Sequence, residues 1–183
     1  TMGATPPSPM LAKGIRASVR KSESRYIPTH LRNTMQSTGQ WGAVRVVPGG
    51  ASWAELLVAG KIVKSNGKDL ALQITARDAA GREWLDRQDT QAADTTAYAK
   101  DRPLDGRDPF QALYNRVADD LVRERDRRRP QELAAAREVA ELRFAAFMAP
   151  DPYASYIATD KSGVSTLVKL PAADDPMMAR IRA

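Results

Sequence analysis

The chain has 183 residues and a formal net charge of +6, with 43% hydrophobic and 27% charged residues, the balance of a soluble globular protein with one sizeable core and an appendage. It contains no cysteine, which excludes disulfides, thiolate nucleophiles and cysteine-ligated metals. No stretch approaches the ~20 apolar residues that span a bilayer, and the opening "TMGATPPSPMLAKG" lacks the charged-then-apolar pattern of a signal peptide, as a processed secreted protein also would.

Residues 1–12 carry Pro6, Pro7 and Pro9 and read as a flexible lead-in. In "GIRASVR", Ile15, Ala17 and Val19 alternate with Arg16, Ser18 and Arg20, which predicts a short strand. Ile27, Leu31, Thr34, Met35 and Thr38 recur at helical spacing. Ser24 is a candidate N-cap, Pro28 places the helix start close to itself, and Gly39 supplies the left-handed residue that ends the helix. "WGAVRVVP" predicts a strand closed by Pro48 and Gly49-Gly50.

"LLVAGKIVKSNGKDLALQITARDAAGREWL" (56–85) reads as a three-stranded meander. Leu56, Leu57 and Val58 form a continuous apolar run. Asn66-Gly67 signals a type I′ hairpin turn, with both residues at positive φ. Leu70, Leu72, Ile74 and Ala76 then alternate strictly with Ala71, Gln73, Thr75 and Arg77, which predicts one buried face and one wet face. Asp78 to Gly81 turn the chain into the third strand. Residues 89–107 show no period and read as a mobile loop.

Asp108 and Pro109 open a helix to about residue 128, with Phe110, Leu113, Tyr114, Val117, Leu121 and Val122 as its apolar stripe. Pro130 begins another helix, to residue 148, whose stripe holds Leu133, Ala136, Ala140, Phe144 and Phe147, widened by Val139 and Leu142. A helical turn near Tyr153–Ile157, a strand at 164–170 and a helix capped by Asp175-Pro176 complete the chain.

Chemistry-bearing patterns are sparse. His30 is the only histidine. It has no orienting carboxylate and no nucleophile in view, so it reads as a surface or half-buried helical residue. Asp86, Asp89 and Asp94 lack the ligand spacing of a calcium loop and read as solvated. Asp119-Asp120 falls on the polar side of its helix, spaced to pair with Arg116 and Arg123. Pro48-Gly49-Gly50 lacks the Lys and Ser/Thr of a phosphate loop. No catalytic residue, cofactor site or metal site emerges. Trp41, Trp53 and Trp84 suit core or sheet-edge packing better than stacking on sugars or bases. The densest basic run, Arg123, Arg125, Arg127, Arg128 and Arg129, has two readings: a solvated helix end with interleaved acids, or an anion or nucleic-acid contact.

The order of a helix ending in "STGQWGAVRVV" and then the 56–85 meander resembles the amino-terminal domain of TolB and related domains of outer-membrane lipoproteins such as LpoB and CsgG. Thr38, Gly39, Trp41 and Val44 occupy the first stretch of that pattern, with one residue of extra spacing. Val58, Gly60 and Ile62 occupy the second, and Arg77, Asp78, Ala79, Gly81 and Trp84 the third. The resemblance covers about 15–90 and the helix near 108–128. It implies a non-enzymatic adaptor with no catalytic residues to carry over, periplasmic and outer-membrane associated, with protein partners or itself as ligand. The chain has no lipid-bearing cysteine, so any membrane link falls to an anchor outside this sequence.

The expected fold is α/β of the α+β kind: one mainly antiparallel sheet of four or five strands, with the 27–38 and 109–128 helices on one face. The expected organisation is a lead-in at 1–12, a core domain at 13–129 and a helix-and-strand extension at 130–183, continuing past the given sequence. That extension is expected to pack on the core and to add its strand to the sheet. Phe144, Phe147 and Met148 are the candidate partner-binding residues. The alternatives are a basic nucleic-acid binder using the arginine run and, last, a hydrolase.

Overall fold

A computed structural model describes the backbone of residues 9–47, 49, 51–94 and 108–182, and side chains from residue 22 onward. The lead-in before residue 9 and most of the expected 89–107 loop lie outside the described residues; of that loop, residues 89–92 continue a strand. The chain forms two compact units, Thr1–Val46 and Val47–Ala183.

Among the described residues of the first unit the one regular element is a helix, α1 (Pro9–Ser37). This corrects several expectations: residues 9–12, read as part of the lead-in, already belong to the helix, and Ser24 lies inside it rather than capping it. The alternation at 15–20 is helix, not strand, because a few alternating residues cannot outweigh the straight-chain helix formers around them. Pro28 also lies inside the helix rather than at its start. Its ring forfeits one backbone hydrogen bond, while the nearby Thr29 and Thr34 hydroxyls bond back to the carbonyls of Arg25 and His30. Gly39 ends the helix as expected, at φ +65°. Residues 41–47 are irregular rather than a strand. The Val44 N–H is taken by the Gln36 side chain at 3.1 Å, not by a ladder partner.

The second unit is α+β, as the sequence predicts, but the five strands among its described residues form two antiparallel sheets instead of one. The larger has the order β1 (Leu56–Ser65), β2 (Asp69–Asp78), β3 (Glu83–Ala92). The β1–β2 turn holds only Gly67 at positive φ, so it is not the expected type I′ turn. It is a three-residue loop in which Asn66 Oδ1 accepts the N–H groups of Lys68 and Asp69. The alternation along β2 holds except at Ala71: Leu70, Leu72, Ile74 and Ala76 are buried, Gln73 and Thr75 are half-buried and Arg77 is exposed, but Ala71, expected on the wet face, is buried as well.

α2 (Gln111–Asp126) packs against β3 and buries Leu113, Tyr114, Val117, Ala118 and Leu121. The Asp108 carboxylate takes the Phe110 N–H at 2.7 Å, so it caps a lead-in turn, and the helix starts two residues later than Pro109 suggests. Asp120 is not on the polar side as expected. It is buried and paired with Arg87 of β3 and with Arg123. Leu85, Arg87, Asp89 and Gln91 share the β3 face that lies in register with the buried residues of β2, so that face is polar at its flank. Arg116 completes the link by donating to Gln91 Oε1 at 2.6 Å.

α3 (Pro130–Met148) is followed by α4 (Pro150–Tyr153), a 3₁₀ turn, β4 (Ile157–Thr159), β5 (Ser165–Leu167) and α5 (Pro176–Arg182). The expected 164–170 strand does not extend the main sheet. Only residues 165–167 are strand, and they pair with β4. The hairpin instead meets the β2–β3 corner, where Ser165 N–H donates to Ala80 O at 2.8 Å. Ala79 and Ala80 form a core cluster there with Val139 and Ala140, flanked by Ile157 and Leu167. A second cluster joins Leu142, Ala145, Tyr153 and Met178.

Tyr153 locks the chain's last helix. Its hydroxyl lies 2.9 and 2.8 Å from the two Asp175 oxygens, while Asp175 Oδ1 also accepts the Met177 and Met178 N–H groups at the start of α5. The Tyr153 hydrogen bond chiefly holds the Asp175 carboxyl below the ordinary carboxylate range. Burial, then the same hydrogen bond, pushes the Tyr153 hydroxyl up. A depressed acid stabilises fully above its unfolded value of about 4 and loses that contribution as pH falls through the lower folded value. A raised phenol stabilises below about 10 and loses its contribution as pH rises through the higher folded value. Hydrogen-exchange protection of α5 should therefore fall at both pH extremes before that of β2. Asp175→Asn should flatten the acid limb, and an unchanged acid limb in that variant would refute the assignment.

Candidate protein-binding surface

Residues 51–55 form a tight turn ahead of β1, with Ala51 buried beneath it. The turn is pinned to α3 from two sides. Arg143 donates to Ser52 O at 3.4 Å and to Ser165 Oγ at 2.8 Å, and Arg137 pairs with Glu55 at 3.5 Å. These anchors set Trp53 beside the last turns of α3. Phe144 and Phe147, three apart and hence on one helix face, lie 6.4 and 4.5 Å from it between ring centroids.

Phe147 is 60% exposed and Met148 59%, while Phe144 and Trp53 are half-buried. The expected α3 stripe is thus partly corrected. The helix buries Ala136, Val139, Ala140, Leu142 and Ala145. The Ala79–Ala80 corner approaches so closely that small residues fill the contact. The two phenylalanines fall beside this face and gather with Trp53. Of the candidate partner-binding residues, Phe147 and Met148 are on the surface and Phe144 supports them. The sequence did not reveal Trp53 as a member, because its neighbours arrive only through the tertiary fold.

The arginine run joins α2 to α3, and each member has an internal partner. Arg123 meets Asp120, Arg125 meets Asp126 at 2.9 Å, Arg127 meets Glu124 at 2.7 Å, and Arg129 meets Glu132 at 3.1 Å. The Arg129 hydrogen bonds hold the Glu132 carboxyl below its ordinary range. Arg128 lies over the Trp84 ring at 4.8 Å and donates to Glu83 O at 2.7 Å. Trp84 Nε1–H in turn donates to the buried Asp78 carboxylate at 3.1 Å. A phosphate binding here would compete with a carboxylate at four of the five arginines.

His30 stacks on Tyr26 at 4.0 Å within α1. Among the described residues no three His, Asp or Glu side chains converge as a metal site, and no helix is long and apolar enough to cross a membrane. Comparison with known proteins returns no matching family model, no matching curated protein and no matching solved structure.

Proposed function

We propose that the chain is a non-catalytic protein-interaction module of a bacterial envelope assembly, periplasmic and outer-membrane associated, which docks a protein partner on the Trp53, Phe144, Phe147 and Met148 surface. The observation that carries the docking reading is a large aromatic side chain, Phe147, left 60% exposed on a support pinned by Arg143 and Arg137. Pre-organised aromatics of this kind dominate binding energy at protein interfaces because little order remains to be imposed on association. The envelope placement is supported by the sequence pattern across the β1–β3 meander.

Phe147→Ser should lower the melting temperature by only a few degrees, since what it forfeits within the chain is the ring contact with Trp53, about 0.5–1.5 kcal/mol. It should weaken partner binding by roughly 30-fold, the loss of an interface anchor of about 2 kcal/mol. A photoreactive phenylalanine analogue at position 147, in native cells, should yield a discrete protein adduct that the same probe at exposed Lys161 does not. No adduct at 147 would remove the docking reading. Fractionation that recovers the native protein in the cytosol would remove the envelope placement alone. Tight nucleic-acid binding that falls steeply with salt would reinstate the arginine run as the site.

A further inference from the structure

The two edges of the larger sheet are treated differently. On β3, Arg116 donates to Thr90 O at 3.3 Å and Arg128 to Glu83 O at 2.7 Å, so side chains from α2 and its end occupy outward carbonyls. On β1, no strand among the described residues pairs with the outer edge. Because Thr90 O points away from β2, the alternation of an antiparallel ladder fixes the rest. Odd residues of β2 face β1, their partners Ala59 and Lys61 face back, and the N–H and C=O groups of Val58, Gly60 and Ile62 point outward. Ala59, Gly60, Lys61, Val63 and Lys64 are exposed along this edge.

Charge selects what could bind there. The register shifts between Ile62 and Lys64, so Lys61 stands opposite Gln73 and Lys64 opposite Ala71. The bulge thereby puts both lysines on the same face, which a regular strand would not do. Edge lysines repel a second copy of the same strand. Lys64 already holds the Asp69 carboxylate at 2.7 Å, so of two carboxylates on an added strand one would meet Lys61 and the other would share the Lys64 ammonium with Asp69.

We infer that β1 is an acceptor edge for an extended acidic segment of a partner protein. The segment adds as a fourth strand, bonded to the outward groups of Val58, Gly60 and Ile62, with carboxylates beside Lys61 and Lys64. This surface is separate from the aromatic one, so the crosslink at position 147 can succeed or fail independently of it.

The test uses the full chain and a synthetic peptide of alternating Thr and Glu, about as long as β1, with a Thr-Lys peptide as control. Hydrogen exchange at Val58, Gly60 and Ile62 should slow on adding the acidic peptide and not the basic one. Lys61→Glu with Lys64→Gln should weaken binding about tenfold, the order expected for exposed ion pairs lost and one reversed. Gly60→Pro removes an outward donor and no ladder bond, so it should abolish the protection at Ile62 while the melting transition persists. If Gly60→Pro does not fold, the lysine variant decides. Equal affinity for both peptides, or protection that rises with protein concentration alone, would overturn the proposal.

Discussion

Leu72→Asp should lower the melting temperature by about 8–16 °C, the shift that roughly 4 kcal/mol produces in a chain of this size. Leu72 is 2% exposed on the central strand, with Ile62 opposite on β1 and Asp89 opposite on β3. Three effects add. Removing the leucine side chain forfeits about 1.5–3 kcal/mol of burial. The new carboxylate loses its hydration without a dedicated partner. It also stands directly across from Asp89, and like charges facing each other across a ladder are destabilising. Arg87 offers little relief, because it is already bound to Asp89 and Asp120. Leu72→Ala measures the cavity contribution and should cost less. Thr75→Lys, a charge on the opposite face and directly across from Asp86, should be tolerated. A circular-dichroism melt in which Leu72→Asp matches the parent would refute the assignment of that face to the core.

How much of this was legible in the sequence follows from the range of the interactions. The 70–76 alternation (Ala71, which is buried, excepted), the Asp78–Gly81 corner and the Asp175 cap are local patterns, and each stands where the sequence places it. Asp120 was misplaced because its burial depends on Arg87, which the fold delivers from another strand. The strand expected at 41–47 fails to form for a related reason: alternation supplies the side chains of a strand, but only a neighbouring backbone supplies its hydrogen bonds. On α3 the large residues were expected to define the buried face, yet the alanines do so, since close packing at a sheet corner favours what is small. Of the candidate site, Phe144, Phe147 and Met148 were visible as large apolar groups at a helix end. Their gathering with Trp53 was not, nor was the internal pairing of the arginine run.

Gly81→Ala should destabilise the protein by roughly 2–4 kcal/mol, summing left-handed backbone strain of about 1–2 kcal/mol with a steric clash of comparable size. Gly81 turns the chain between β2 and β3 at φ +85°, and an added Cβ would meet Gly163 O, a backbone atom that cannot swing aside. Gly163 belongs to the β4–β5 turn, which Asp160 organises by accepting the Ser162 and Val164 N–H groups. The corner and the turn must separate, and the first casualty should be the bond from Ser165 N–H to Ala80 O. The Arg143 link to Ser165 Oγ follows, and with it one anchor of the Trp53 turn. Gly163→Ala supplies the comparison: its φ is +84°, but nothing lies within 4 Å of the new Cβ, so it should cost backbone strain alone. Hydrogen exchange at Ser165 should therefore accelerate strongly in Gly81→Ala and weakly in Gly163→Ala, with β2 amides protected in both. Equal effects of the two substitutions would show that conformation rather than contact governs this corner, and would remove the mechanical connection from the sheet corner to the aromatic surface.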